Sequence, residues 1–397
     1  MSDIHKLRAY LAHRQGLLSF SDKSNREVLK DHGWARSVGG HNIYMTLFAR
    51  NRSRKAQAEQ DVAKSELYEF ASARGCTYFL PKDDFQTGIK AGQGFNDASA
   101  LRTAKNKLGF TDKDLVKLNE GILMSLANGP LNTNDIKKEL GDLVMNFGEV
   151  GKKIGQTTSL SLGLLNLQAN GKIRRVPKGW QLETQNYQYE LFKDGPEVGE
   201  SYSKEEAYAD MAELYWGWVG IANLSHFQWF SGLGVKASQE ATKNLNLVPL
   251  EGTDLLIREH ELEDFRNFEA PATPSYRLVS VLDGLFMHRR EIASLLDIED
   301  SERQVLREKV SGPLLGSPDL PTNAIIDRGR IIGLWEFDVD FGKIALASFI
   351  PMNDELQEEI RQTESFIRDE LGDCRSHSLD SAKSRQPVID FLRAMSK

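Results

Sequence analysis

The stretch from Asp114 to Leu191 constrains this chain more than any other, because its elements follow one another in a set order. Leu115, Leu118, Ile122 and Leu126 recur at steps of three and four, with Leu123 beside them. That spacing puts them on one face of a helix. Gly129-Pro130 stops the run, because proline has no N–H to continue the ladder. Asn132-Thr133-Asn134 then opens a short helix, DIKKELG, whose Ile136 and Leu140 lie four apart. A third helical run, TSLSLGLLNLQANG, ends at Gly171, a residue suited to the left-handed backbone of a helix C-cap. KIRRVP and GWQLE follow as two strand-like pieces hinged at Pro177-Lys178-Gly179, as in a hairpin.

Three helices followed by a hairpin is the order of a winged helix, a fold that often lays its third helix in the DNA major groove. The helix around Thr158 to Gln168 is therefore expected to be exposed on one face. Residues 151–190 hold Lys152, Lys153, Lys172, Arg174, Arg175 and Lys178 against only Glu183 and Glu190. Those six cations are the expected DNA contacts, with Arg174, Arg175 and Lys178 on the wing, where backbone phosphates would lie.

The same order recurs on both sides. HKLRAYLAHRQGLL, NREVLKDHG, NIYMTLFAR and a longer run through AEQDVAKSELYEFASARG read as helices, and CTYFLP as a strand. Past a linker, GPEVGES, come KEEAYADMAELYWGWVG, NLSHFQWFSG and KASQEATKNL, then LNLVPLEGTDLLI as two strands around Glu251-Gly252-Thr253. From about Glu269 the character changes. PATPSYRLVSVLD, NAIIDRGRIIGLWEFDVD and GKIALASFI are strand-like, with turns at Asp327-Arg328-Gly329-Arg330 and near Phe341-Gly342. NDELQEEIRQTESFIRDELG is an amphipathic helix, and SHSLDSAKSRQP a polar connection to a last short helix. The expected fold is α+β: three tandem winged helix-turn-helix units at residues 1–105, 106–195 and 196–268, then a β-rich module with closing helices at 269–397.

Charge bears on partners. The chain carries a formal net charge of −7, yet residues 1–60 hold eleven Lys/Arg against five acids. A basic N-terminal face on an acidic body would grip a duplex along one surface, which makes double-stranded DNA the expected partner. Two cysteines, Cys76 and Cys374, form no disulfide framework, and no Cys/His spacing implies zinc. No motif calls for a cofactor. Without a signal-peptide core or a membrane-length apolar run, the expected location is cytoplasmic, away from membranes.

Several segments resemble the winged-helix DNA-binding family that includes the AlkZ/YcaQ-type DNA glycosylases, which excise alkylated or crosslinked bases. Tyr44-Met45-Thr46-Leu47-Phe48-Ala49-Arg50 is similar to the family's YLALWAR-type helix. Arg74-Gly75-Cys76-Thr77-Tyr78-Phe79-Leu80-Pro81 is similar to its RGTLHLVP strand, and Gly220 to Leu233 to its GPAT..DFAWWSGL segment. Leu282-Asp283 and IIDRGRIIGLW resemble the late β-rich part. The resemblance implies a Gln-x-Gln or Gln-x-Asp pair shortly before the YLALWAR-like helix, to aim water and stabilise an oxocarbenium-like sugar. Counting back from Tyr44 places that pair near Arg36 and Val38, and no Gln, Asp or Glu occurs between Gly33 and Tyr44.

Within this window His41 is the candidate base, since its unperturbed pKa is near neutral. Arg36 suits a phosphate or flipped base, and Gly39-Gly40 close backbone approach or a plain turn. His226 stands where the resemblance implies an acid and reads as a packed histidine. Asp283 reads as half of an ion pair with Arg289 or Arg290. The expected function is a DNA-binding protein that resembles base-excision glycosylases without the catalytic pair. The alternatives are an active, diverged glycosylase and a protein-interaction scaffold.

Overall fold

A computed structural model describes residues 4–193, 195, 199, 201–307 and 310–395. Helices α1 (Ile4–Arg14) and α2 (Asn25–His32) lead to strand β1 (Ala35–Arg36), helices α3 (Asn42–Asn51) and α4 (Lys55–Ala63), and strands β2 (Leu67–Ala71) and β3 (Thr77–Pro81). Helices α5 (Phe85–Gly92) and α6 (Asn96–Leu108) connect to α7 (Asp112–Ser125), α8 (Thr133–Leu140), α9 (Gly148–Lys153) and α10 (Leu160–Ala169), which precede β4 (Ile173–Pro177) and β5 (Tyr187–Leu191). Next come α11 (Lys204–Val219), β6 (Ile221–Ala222), α12 (Leu224–Ser231), α13 (Val235–Thr242), β7 (Leu247–Pro249), β8 (Leu256–Arg258) and α14 (Leu262–Asn267).

Local sequence sets these boundaries. Thr111 and Asp114 form a reciprocal capping box on α7, as Ser203 and Glu206 do on α11. Asn132 accepts from the backbone N–H of Asn134 and Asp135 at the start of α8. Each such cap satisfies donors that the first helical turn leaves open.

One strand order repeats three times. β1 pairs with β3, which pairs with β2; β6 pairs with β8, which pairs with β7. Between them, Leu131 bridges Tyr189 of β5, and β5 pairs with β4. In each case the segment before the helices joins the last strand of the hairpin, with two helices between them in the first and last repeats and three (α8, α9 and α10) in the middle one. Of the linker GPEVGES, only Gly195, Gly199 and Ser201 fall among the described residues.

The remaining chain adds β9 (Tyr276–Val279), α15 (Gly284–Met287), α16 (Ile298–Ser301), a hairpin of β10 (Gln304–Arg307) and β11 (Val310–Pro313), then β12 (Asn323–Asp327), β13 (Arg330–Asp338) and β14 (Lys343–Ser348). The four-stranded sheet β14-β13-β12-β9 is antiparallel, with α17 (Asp354–Phe366) and α18 (Ala382–Met395) after it. Asp327 pairs with Arg330 across a two-residue turn in which Arg328 and Gly329 take φ of 46° and 83°, the geometry favoured in tight hairpins. A Cβ on Gly329 would lie 2.2 Å from the Arg8 carbonyl of α1, so this glycine also lets α1 close over the turn.

Three expectations about elements are corrected. The helix drawn through AEQDVAKSELYEFASARG ends at Ala63, Ser65 turns left-handed at φ 60°, and Leu67–Ala71 is strand β2. Pairing with β3 along the whole strand, with Tyr68 and Phe70 buried in an aromatic cluster, outweighs helix propensity there. GWQLE is a pair of single 3₁₀ turns, and the second hairpin strand starts at Tyr187. The last helix likewise begins within the expected polar connection, at Ala382, and contains Pro387.

The cores tie distant segments together. A cluster from Ala104 to Ile173 is drawn from one stretch of chain. The aromatic cluster instead joins Trp34, Phe70 and Tyr78 to Trp216, Trp218 and Phe230 of the later helices, and another joins Tyr44 and Leu47 to Trp335 and Phe366. No described helix is long and apolar enough to cross a membrane.

Candidate nucleic-acid interface

β1 holds the window expected to carry the catalytic pair against β3, Ala35 opposite Phe79 and Arg36 opposite Tyr78. Ser37 continues the ladder by donating to the Thr77 carbonyl, and Gly40 N–H closes a turn on the Ser37 carbonyl. Gly39 and Gly40 both sit at φ 80°. A Cβ on Gly39 would meet the Arg375 and Ser376 carbonyls at 2.6 Å, and one on Gly40 the Glu183 Cα at 2.7 Å. These glycines therefore admit two other segments of the same chain.

The rest of the turn is sealed. His41 is 2% exposed and its Nδ1 lies 3.1 Å from the Gly39 carbonyl. Burial pushes its pKa down to about 4, against the upward pull of Asp373. The expected catalytic base is thus a packed, neutral histidine with no open face, which corrects its assignment. Asn42, the one carboxamide in the window, donates to the Val38 and Ser376 carbonyls and accepts from Ser280. Tyr44 donates 2.9 Å to Glu183, whose other oxygen takes Lys55 at 2.5 Å. Asn42, Tyr44 and Lys55 thereby dock Ser376 and Glu183 onto the turn.

Arg36 faces the other side of the sheet, half-buried, with its guanidinium carbon 5.2 Å from the Tyr78 ring centroid. Arg74, from the β2–β3 turn, brings Nη2 to 3.9 Å from Cys76 Sγ and stacks 3.4 Å over Trp229 of α12. Arg290 lies 4.2 Å from the centre of the same indole and pairs with Asp319 at 2.7 Å. Sequence reasoning missed this grouping. Arg74 and Trp229 both belong to segments that resemble the family, yet only the docking of α12 on the β2–β3 turn unites them.

The wing arginines have other duties. Arg174 donates 2.7 Å to Glu190, its cross-strand partner, and 3.0 Å to Ser65. Arg175 reaches Glu69 of β2 at 2.6 Å and stacks 4.2 Å from the Tyr187 ring centre, while Tyr187 donates 3.0 Å to the same carboxylate. Arg175 thus pins the hairpin to β2 and Arg174 ties it to the turn before β2, so both expected phosphate contacts already have internal partners. Lys152, Lys153, Lys172 and Lys178 are exposed. The third helix, α10, keeps one face partly open. In α10 only Ser161 is fully exposed, and Leu165, Gln168 and Ala169 line a cleft of about 100 Å³ with Glu69, Thr77 and Arg175. Helix α13 presents Val235, Lys236, Gln239 and Glu240 to solvent.

The N-terminal excess of positive charge is mostly internal. Nine of the eleven cations reach acids: Arg8 pairs with Asp297, Arg14 with Glu261, Arg52 with Glu359, Arg54 with Glu370 and Lys55 with Glu183, among others. The basic face expected to grip DNA is instead a set of clasps onto later segments. Asp283 pairs with Arg50, not with Arg289 or Arg290, in a fully buried bidentate bridge of 2.7 and 2.9 Å. His226 packs as expected, its Nδ1 accepting from Asn223 N–H at 3.3 Å, with burial holding its pKa near about 4. Among the described residues no group of His, Cys, Asp and Glu is placed to hold a metal.

Comparison with known proteins fits this arrangement. No curated protein matches the sequence. Among solved structures, the chain is similar to the DNA glycosylase AlkZ of Streptomyces sahachiroi, with a TM-score of 0.65 and 17% identity over 95% of this chain and 98% of that one. At that identity the likeness establishes a shared fold. The profile described as "DNA glycosylase AlkZ-like" matches residues 35–363, most of the chain. The chain therefore belongs to the AlkZ-like DNA glycosylase family.

Proposed function

We propose that this protein binds duplex DNA through three tandem winged helices and excises bases at no more than background rate. The threefold repeat of strand order, each time around two or three helices, supports the winged-helix reading. Family membership supports DNA as the partner. The observation that carries the absence of excision is the window itself. Arg36 and Val38 stand where the resemblance places the catalytic pair, and His41 and Asn42 are buried and engaged. An oxocarbenium-like sugar needs negative character and an aimed water, and a guanidinium supplies neither.

Incubation with alkylated and crosslinked duplexes is expected to give a mobility shift without alkali-labile sites above background. Robust excision that disappears in His41→Ala would overturn the proposal. One observation favours a second reading, excision by another group. Glu69 is buried, its Oε2 has no partner, and it lines the cleft beside Thr77 and Gln168. Excision lost in Glu69→Gln but kept in His41→Ala would select that reading.

The exposed lysines give a separate expectation. Lys172 and Lys178 flank β4, and changing both to glutamine should lower the slope of log affinity against log salt by about 2. Arg174→Gln and Arg175→Gln should leave that slope unchanged while lowering the melting temperature, because their partners are internal.

A further inference from the structure

We propose that Arg36, Arg74 and Trp229 form a binding site for a phosphate group, occupied by a backbone phosphate when DNA is bound; the second half rests on the DNA-binding reading above. The Arg36 guanidinium from β1 and the Arg74 guanidinium from the β2–β3 turn approach one thiol, Cys76, and Arg36 also lies against the Tyr78 ring. Neither guanidinium has a carboxylate partner among the described residues, unlike Arg290 beside them, which has Asp319. A thiol is a weak acceptor and cannot balance two positive charges.

The donors left over are specific. Arg36 Nε, Arg74 Nη1 and Trp229 Nε1 are all shielded from solvent without an acceptor. Buried donors of this kind are few in folded proteins and each calls for a reason. Here they belong to three side chains linked by contact, with Arg74 stacked 3.4 Å over the Trp229 indole. Arg74 is also held at φ 56°, in the left-handed region that a non-glycine residue rarely occupies. The Gly232 position places Arg74 Cα only 3.0 Å from where a Cβ would stand, so α12 braces that backbone. Strained backbone maintained by its neighbours is characteristic of ligand sites.

The ligand class follows from the donors. The set offers N–H groups and positive charge and no strong acceptor, so its complement is an oxyanion with several acceptor oxygens. Phosphate meets two guanidinium forks through separate oxygens, and a phosphodiester in DNA keeps two unesterified oxygens for the purpose.

The test uses the full chain with two probes, inorganic phosphate and a plain duplex. Inorganic phosphate should raise the melting temperature above a sodium chloride control of equal ionic strength. Arg74→Gln and Arg36→Gln should abolish that rise, Trp229→Phe should reduce it, and Arg74→Lys should retain part of it. Duplex affinity at constant salt should fall about tenfold in Arg74→Gln, with the salt slope reduced by about 1. Trp229→Phe and Arg74→Lys keep the ring stack and the charge, so they separate loss of ligand from loss of fold. An equal phosphate response in wild type and Arg74→Gln, or a duplex bound with unchanged slope, would overturn the phosphate site and leave the DNA-binding reading intact. A phosphate response lost in the variants, from a protein that binds no duplex at any salt, would uphold the site and overturn DNA as its source.

Discussion

Acidification from pH 6.5 to pH 5 is expected to remove several kcal/mol of stability, before most carboxylates titrate. Burial pushes His32, His41 and His226 down to about 4 and His288 to about 3. In the unfolded chain each returns to about 6.5. Below that value the unfolded state binds protons that the folded state refuses, so stability falls as pH falls. The contribution is fully present above pH 6.5 and diminishes until the folded values are reached. One histidine gives at most about 1.4 kcal/mol per pH unit, and four about 5.

Neighbouring groups temper the slope. Asp373 and Glu183 pull His41 up while Arg375 opposes them, and Asp283 and Arg50 act on His288 in opposite directions. His32 faces Arg50, Asp31 and Lys23, and His226 faces Arg289, Glu291 and Asp254. Asp84, raised by burial to about 6, works the other way. Its folded form takes a proton before the unfolded chain does, which favours the fold as pH drops. Glu336 and Glu359, also raised by burial, add to that offset. With Asp84 alone offsetting one histidine, the net slope is at most about 4 kcal/mol per pH unit. Urea unfolding at pH 7, 6 and 5 measures it directly. A midpoint that stays constant across that range would mean that these rings are charged or solvated in the native protein.

How much of this was legible in sequence depends on the range of the interaction. The helix from Leu115 to Leu126, the Asn132 cap and the Asp327–Arg330 turn are local, and each was readable from spacing or turn chemistry. Leu67–Ala71 was misread as helix because its strand identity comes from β3, across an intervening turn. The surplus of lysine and arginine before residue 60 looked like a DNA-binding face because the acids that meet it, Asp283, Glu359 and Glu370, are more distant still. At the site, the absence of Gln, Asp and Glu between Gly33 and Tyr44 is legible by counting back from Tyr44. The sealing of His41 is not, because residues 182–184 and 375–376 reach it only in the folded chain. Arg36 stands out in the window before Tyr44 by its charge alone, whereas its association with Arg74 and Trp229 depends on which face of β1 turns toward α12.

The other large effect is expected at Arg50 and Asp283. The pair is 2% and 1% exposed, bidentate at 2.7 and 2.9 Å, with Arg50 Nη1 also donating 3.0 Å to the Thr46 carbonyl. Asp283 Oδ1 accepts from Leu285 N–H and so caps α15. Burial alone would raise the Asp283 pKa, but the Arg50 guanidinium overrides it and holds the carboxylate below its usual range. Asp283→Ala leaves a buried guanidinium without its counter-charge and an uncapped helix. The expected cost is about 3–5 kcal/mol. Asp283→Asn retains an acceptor for the cap and should cost less. The double change Arg50→Met, Asp283→Ala should recover part of the loss relative to Asp283→Ala alone, since no isolated charge remains buried. Single changes that shift unfolding by less than about 1 kcal/mol would show that water reaches the pair. Arg50 closes the helix segment and Asp283 the late segment that first suggested the family, so the two signatures are the two halves of one contact. A destabilised Asp283→Ala protein should therefore lose protection from hydrogen exchange in α3 and β9 together, because the contact docks the β-rich module on the first helices.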